Sequence, residues 1–287
     1  MILLMLYFLS KLFRRQKRIS ILLYHSIGQN DARYNVNPEQ FEMQMEYLRK
    51  NYDVVSLDTI LGFIKQGKDL PKKTVAITFD DGYYNVYQNA YPILKKCRFP
   101  AAIFIATGYV QEQMPLNQIQ LRMLGWDEIK EMSNYDITIG AHTITHPNLE
   151  QVDLETARKE ILGSKEEIKQ KTGKDVRYFA SPYGKENEEI ASLVRSIGFD
   201  CAFGQLSSKA FISKGANHLI LNRTEIDGSV TFWMFKVKLT KASDWYLKFK
   251  QNSSKIVNRF LFLSRLNQKY KMLLASPAHL RVKPKKD

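Results

Sequence analysis

The sequence predicts an α/β fold, a distorted (β/α) barrel of about seven parallel strands, flanked by a basic amphipathic N-terminal segment and a basic C-terminal helical extension. Three observations lead there. Short apolar, β-branched runs alternate with amphipathic segments from residue 19 to about residue 226, the pattern of parallel pairing through right-handed crossovers. At 287 residues and 44% hydrophobic, the chain is long enough to bury roughly 75% of its unfolded surface in one core. Polar residues also close several of the apolar runs, and in a barrel those ends meet on one face.

The first run is ISILLYHSI at residues 19–27, followed after Pro38 by the helical FEMQMEYLRKN. DVVSL then precedes DTILGFIKQG, and TVAITFDDG precedes a segment ending in NAYPILKKC. AAIFIAT precedes a loop and WDEIKEM, and DITIGAHT precedes LETARKEILGSKEEIKQKTG. RYFASPYG, NEEIASLVRSIG, DCAFG and LILNRTEI complete seven or eight such units. Alternation alone fits an open doubly wound sheet as well as a barrel, so the chemistry at the strand ends has to decide.

No stretch reaches the ~18 consecutive apolar residues of a spanning helix. Two cysteines, Cys97 and Cys201, cannot make a disulfide scaffold, and both are expected as reduced core residues. The net charge of +14 is concentrated at the two ends: residues 1–18 carry +5, residues 232–287 carry +12, and the body at 19–231 is about −3. Three regions follow: a membrane-surface segment at 1–18, a catalytic domain at 19–231 and an aromatic-rich basic extension at 232–287.

In MILLMLYFLSKLFRRQKR the cations follow the apolar run and no small-residue cleavage site appears, the reverse of a cleaved secretory signal. The run is too short for a ~30 Å hydrocarbon layer, so a helix lying in the interface, its cations near lipid phosphates, is expected. If it inserted, those cations would favour a cytoplasmic body; an uncleaved anchor with the body outside is the other arrangement. In the extension, Phe260, Leu261, Leu263, Leu266, Tyr270 and Leu273 recur at three and four spacing. This suits a greasy stripe with basic flanks, for anionic lipid or for packing on the domain. No nucleic acid is expected as a partner, because no reading motif accompanies the charge.

Asp80 and Asp81 close the run TVAITFDDG before Gly82 permits a sharp exit. Adjacent carboxylates project differently, so one can ligate a cation while the other takes a proton from water. His142 and His146, four apart in GAHTITHPNL, are expected on one side of a helical turn that Pro147 ends. Two imidazoles and one carboxylate make three protein ligands with open positions, the arrangement of a catalytic metal. His25 ends the first run in LLYHSIG, on the same rim, where an imidazole can act as general acid near neutrality.

These residues resemble the polysaccharide deacetylases, carbohydrate esterase family 4. TFDDG at 78–82, HTITH at 142–146 and FASPYG at 179–184 stand in the family's order, and the resemblance covers roughly residues 19–226. It implies that Asp80 is the catalytic base and that Asp81, His142 and His146 hold a divalent metal, zinc foremost, with cobalt, nickel, manganese or ferrous iron as alternatives. It gives Pro182 and Tyr183 to the substrate groove, with the Tyr183 backbone N–H as oxyanion donor. Two departures stand out. Ala180 occupies the place of the arginine that many members carry two residues before the proline, and the late leucine-containing motif with its catalytic histidine is not evident.

The early Tyr24–His25 pair is similar to the branch that deacetylates poly-N-acetylglucosamine, in which an early histidine supplies the general acid; this gives His25 that role. Arg223, at the end of the last run, is either an orienting, substrate-binding group in place of the missing arginine or a salt-bridged surface residue. The implied reaction is metal-dependent hydrolysis of N-acetyl groups on an amino-sugar polymer or a lipid-linked glycan, near an anionic membrane. An inactive glycan-binding protein on the same fold is the alternative. A ferrous oxygenase could use two histidines and a carboxylate, but Asp80, the barrel and the PYG segment argue against it.

Overall fold

Seven parallel strands close on themselves in the computed structural model, each lying beside the next in sequence. They are β1 (Arg18–Tyr24), β2 (Lys73–Phe79), β3 (Ala101–Ile105), β4 (Ile137–Ala141), β5 (Tyr178–Ala180), β6 (Cys201–Gln205) and β7 (Ile220–Glu225). β1 pairs along its whole length with β2, from Arg18↔Lys73 to Tyr24↔Phe79, and β7 returns to it through Leu22↔Thr224 and Leu23↔Glu225. Closure of the ring decides for a barrel over an open sheet. The structure describes residues 18–240, apart from 31, 67, 68, 72, 117, 118, 186 and 206–219. The membrane-surface segment and the extension beyond residue 240 therefore lie outside the described residues. Among those described, no helix is long and apolar enough to cross a membrane.

Strand residues alternate between two apolar clusters, as a pleat requires. Ile19, Ile21, Ala76, Ala102, Phe104 and Phe203 point into the lumen, while Leu22, Tyr24, Val75, Ile77 and Phe79 face the surrounding helices. Each such large side chain contributes about 1.5–3 kcal/mol on burial. The helices are α1 (Pro38–Asn51), α2 (Leu57–Gln66), α3 (Tyr91–Cys97), α4 (Trp126–Asn134), α5 (Leu154–Thr172), α6 (Glu188–Ser196) and α7 (Phe232–Lys238).

Helix α2 belongs to the lumen cluster through Leu57, Ile60, Leu61 and Ile64. Its Asp58 meets Arg177 and Tyr178, and its Lys65 meets Asp200, where β5 and β6 begin. It thus closes the end of the barrel opposite the polar strand termini. DVVSL, read from sequence as a barrel unit, supplies only Asp53–Val54, a short strand added to β2 outside the ring. The first turns of the basic extension fold onto the body: Phe235 and Val237 of α7 are buried, and Phe232 and Phe235 pack edge-on against Tyr47 of α1. Cys201 is buried in the lumen, its Sγ 3.4 Å from Ala202 O, and Cys97 is half-buried.

Candidate active site

The carboxyl ends of the strands carry the polar residues, and backbone hydrogen bonds tie those ends together. Asp80 N–H donates to Tyr24 O at 3.0 Å, His142 N–H to Ile105 O at 3.0 Å, and Ser181 N–H to Phe203 O at 3.2 Å. Above them lies a cavity of about 380 Å³ lined by His25, Asp80, Asp81, His142, His146, Tyr183 and Arg223. These residues come from five separate parts of the chain, as strand-end placement in a barrel predicts.

The aspartate pair separates as its adjacency requires. Asp80 continues the direction of β2, whereas Asp81, at φ 71°, and Gly82, at φ 89°, are left-handed and turn the chain away. Asp81 Oδ1 lies 3.3 Å from His142 Nε2 and 3.3 Å from His146 Nε2. Ligands about 2.0–2.2 Å from a tetrahedral zinc lie at such a spacing from one another. These three residues form a group whose ligand atoms all fall within 4.8 Å of one another.

The donor chemistry fits a cation as well. His142 Nδ1 lies 2.7 Å from Ala180 O; donating there leaves Nε2 as the lone-pair nitrogen aimed at Asp81, the partner pattern usual for ligating histidines. When the two imidazoles are instead protonated and donate to Asp81, burial still raises its carboxyl, but the hydrogen bonds from His142 and His146 outweigh it and hold the group well below the usual carboxylate range. Burial likewise lowers His142, and the Asp80 and Asp81 charges carry it back above its ordinary value.

The two histidines are not on a helical turn. Four-residue spacing suggested one, yet the segment after β4 is a loop in which Thr143, at φ 66°, and His146, at φ 59°, are left-handed. Such backbone costs about 1–2 kcal/mol per non-glycine residue and needs outside support. Thr143 O accepts from Thr107 N–H at 3.1 Å and Ile144 O from Gly108 N–H at 2.9 Å. Gly108 is required there, since a Cβ would stand 2.8 Å from Ile144 O.

Asp80 is gripped from across the lumen. Arg223 Nη1 and Nη2 donate to its two oxygens at 2.6 Å each, and the guanidinium rests over Phe104 and Phe203 at 5.4 and 5.8 Å. Burial pushes the Asp80 carboxyl up, but Arg223, with His142, brings it below its ordinary value. Arg223 is 2% exposed, so it is not the surface arginine that the sequence also allowed. Its two Nη groups are taken up by Asp80, and it meets the cavity as part of that pair.

His25 follows β1, half-buried, its ring 5.1 Å from Tyr34 and its buried Nδ1 without a hydrogen-bond partner among the described residues. Pro182 is buried and Tyr183 is 59% exposed, left-handed at φ 57°, its ring edge-on to His146 at 4.8 Å. Sequence reasoning missed Tyr34, Tyr83, Tyr109 and Met114–Leu116, which complete the cavity. The last belong to a hairpin of Gln113–Leu116 and Ile119–Arg122, inside a segment read as a loop. It also missed Glu160 of α5, which accepts from the loop between the histidines.

Residues 67–202 match the polysaccharide deacetylase family. The poly-beta-1,6-N-acetyl-D-glucosamine N-deacetylase of Staphylococcus aureus is 31% identical over 212 residues, which is 70% of this chain and 71% of that one. The chain belongs to the polysaccharide deacetylase family. Bacillus subtilis YxkH is another similar protein, 30% identical, and the match spans 63% of this chain and 62% of the relative, just under two thirds of its length. Among solved structures, the Streptococcus pyogenes deacetylase PplD in complex with acetate superposes with a TM-score of 0.66 at 25% identity, covering 75% of this chain and 95% of that one. IcaB from Ammonifex degensii shares the fold, with a TM-score of 0.67 at 24% identity over 79% and 97% of the two chains. The polysaccharide deacetylase barrel thus accounts for the seven strands and for the rim on which the acidic and imidazole groups collect.

Proposed function

We propose that this member of the family is a metal-dependent N-deacetylase of an amino-sugar polymer, with poly-β-1,6-N-acetylglucosamine as the first substrate to try. The observation that carries the reading is a division of labour between neighbouring aspartates. Asp81 faces two imidazole nitrogens at 3.3 Å while Asp80 is held off by Arg223, both in one cavity.

A divalent cation, with zinc the best match to two imidazoles and a carboxylate, would when bound supply Lewis acidity for an acyl oxygen and for water near neutral pH. Asp81, His142 and His146 would hold it. Asp80, kept anionic and oriented by Arg223, takes the proton of the attacking water. The Tyr183 backbone N–H, carried beside His146, donates to the developing oxyanion, a contact of the kind worth ~3–4 kcal/mol in barrier height. His25, lining the same cavity, protonates the departing amine. The amine product gains a proton near neutrality, so a neutral sugar becomes a cation. The net charges of +5 at residues 1–18 and +12 at residues 232–287 support a reaction held near an anionic membrane or on a lipid-linked glycan.

Acetate release tests this reading, measured on N-acetylated and O-acetylated glycans after stripping and reloading with zinc. The reading expects zinc-dependent release from an N-acetylated amino-sugar chain. Binding of such a chain with no acetate from any loaded sample would favour the glycan-binding alternative.

A further inference from the structure

We propose that Glu160 is a positioning residue for the metal ligand His146, acting by holding the loop between the two histidines in its left-handed shape. This inference rests on the reading of Asp81, His142 and His146 as a cation site.

Glu160 stands on α5, outside the cavity. Its Oε2 accepts from Ile144 N–H and Thr145 N–H, both at 2.8 Å, and its Oε1 accepts from Thr145 Oγ1 at 2.7 Å. Three donors from two consecutive residues thus converge on one carboxylate. Successive backbone N–H groups beside a left-handed residue form an anion-binding nest, and here the anion is a side chain of the protein itself. The helix presenting it is firmly placed: Asp153 caps its start, Gly173 ends it, and Ala157 and Ile161 on either side of Glu160 are buried.

The two histidines differ in how they are fixed. His142 has a backbone bond to Ile105 O and a ring bond to Ala180 O, both independent of the loop. His146 has neither. Its N–H donates to Thr143 Oγ1 at 3.1 Å, and its ring reaches Asp81 only because Thr143 and His146 are both left-handed. Ile144 is also hemmed in, since a Cβ on Gly163 would lie 2.6 Å from its Cδ1. Without Glu160, two amide donors lose their acceptor and the loop is free to relax toward commoner backbone angles, carrying the His146 imidazole away from Asp81. One of three ligands would be loosened while the other two stayed in place.

The test is zinc affinity of the full chain, read by competition with a chromophoric chelator, together with the visible absorption of the cobalt(II) form. Loss of a partner that orients a ligand typically weakens metal binding by ~10–100-fold, and Glu160→Ala is expected in that range with an altered cobalt spectrum. Glu160→Gln should stay near the parent, because its amide oxygen still accepts both backbone N–H groups and its NH2 can donate to the Thr145 hydroxyl, which reverses its role. Thr145→Val, which removes one of three bonds, should fall between them and serves if the alanine variant fails to fold. Parent-like affinity and spectrum in both Glu160→Ala and Thr145→Val would overturn this inference alone, as would Glu160→Gln binding as weakly as the alanine variant. A parent chain that binds no zinc would overturn the metal-dependent reading and this inference with it.

Discussion

Arg223 and Asp80 meet through two parallel hydrogen bonds of 2.6 Å, with both side chains almost wholly out of solvent. The arginine comes from β7, although Ala180 on β5 occupies the place where many family members carry one. Paired in this way, Asp80 is fixed in direction and kept ionised.

Removing the arginine should therefore be felt in stability and in the pH profile. Removing one partner of a buried ion pair typically costs ~3–5 kcal/mol, and Arg223→Ala is expected to lose that much in chemical denaturation. Arg223→Lys keeps a charge without the fork. The Asp80 carboxyl lies below its ordinary value, and a weaker partner raises it; as the proposed base it would have to be deprotonated. The acidic limb of the rate profile should then move to higher pH. A limb that stays put in Arg223→Lys would separate the arginine from the base.

The metal ligands should not be equivalent to the base. His142→Ala and His146→Ala are each expected to lose zinc and turnover together, because each removes one of the three donors that Asp81, His142 and His146 supply. Equilibrium dialysis followed by metal analysis checks this, and full zinc occupancy in either variant would exclude that imidazole as a ligand.

Acid stability has a separate source at the other end of the barrel. Asp200 is lowered by its hydrogen bond from Lys65, raised part-way by burial, and lowered again by Arg177. A carboxyl lowered in the folded state contributes stability above its unfolded value of ~3.9, and that contribution is lost as pH falls through the folded value. Asp200→Asn should flatten the fall in stability below about pH 4. Melting temperatures across an acid series read this directly, and parallel curves for parent and variant would contradict it.

Gly140 offers a packing test of the lumen beneath Arg223. A Cβ there would stand 2.5 Å from the Phe104 ring and 3.0 Å from Tyr178 O, and the ring is completely buried. Gly140→Ala should cost about 1–3 kcal/mol as an overpacked core. Because Phe104 supports the Arg223 guanidinium, activity should fall as well. An unchanged denaturation midpoint would mean that the ring yields more easily than its burial implies.

Most of the barrel was legible because a parallel strand buried on both faces is a short, nearly continuous apolar run, and seven of these stood out. The site was legible for a related reason: Asp80, Asp81, His142 and Tyr183 lie just beyond such runs, so their neighbourhood follows from topology. His146 was placed correctly near His142 but for the wrong reason, since four residues make one helical turn and nothing in HTITH itself signals two left-handed residues. The partner that supports that shape, Glu160, lies on a helix whose sequence reads as an ordinary charged face. Arg223 was ambiguous because its pairing with Asp80 spans 143 positions. Tyr34 and the hairpin around Pro115 lie in segments with weak alternation, and only the folded chain brings them to the cavity.

The central claim is that one aspartate binds while its neighbour acts, and a single paired measurement on Asp80→Asn addresses it: zinc content and acetate release from the same preparation, beside the parent chain. The account predicts a full complement of zinc with turnover lowered by orders of magnitude. Near-parental acetate release from the zinc-loaded variant would contradict it, whatever the glycan.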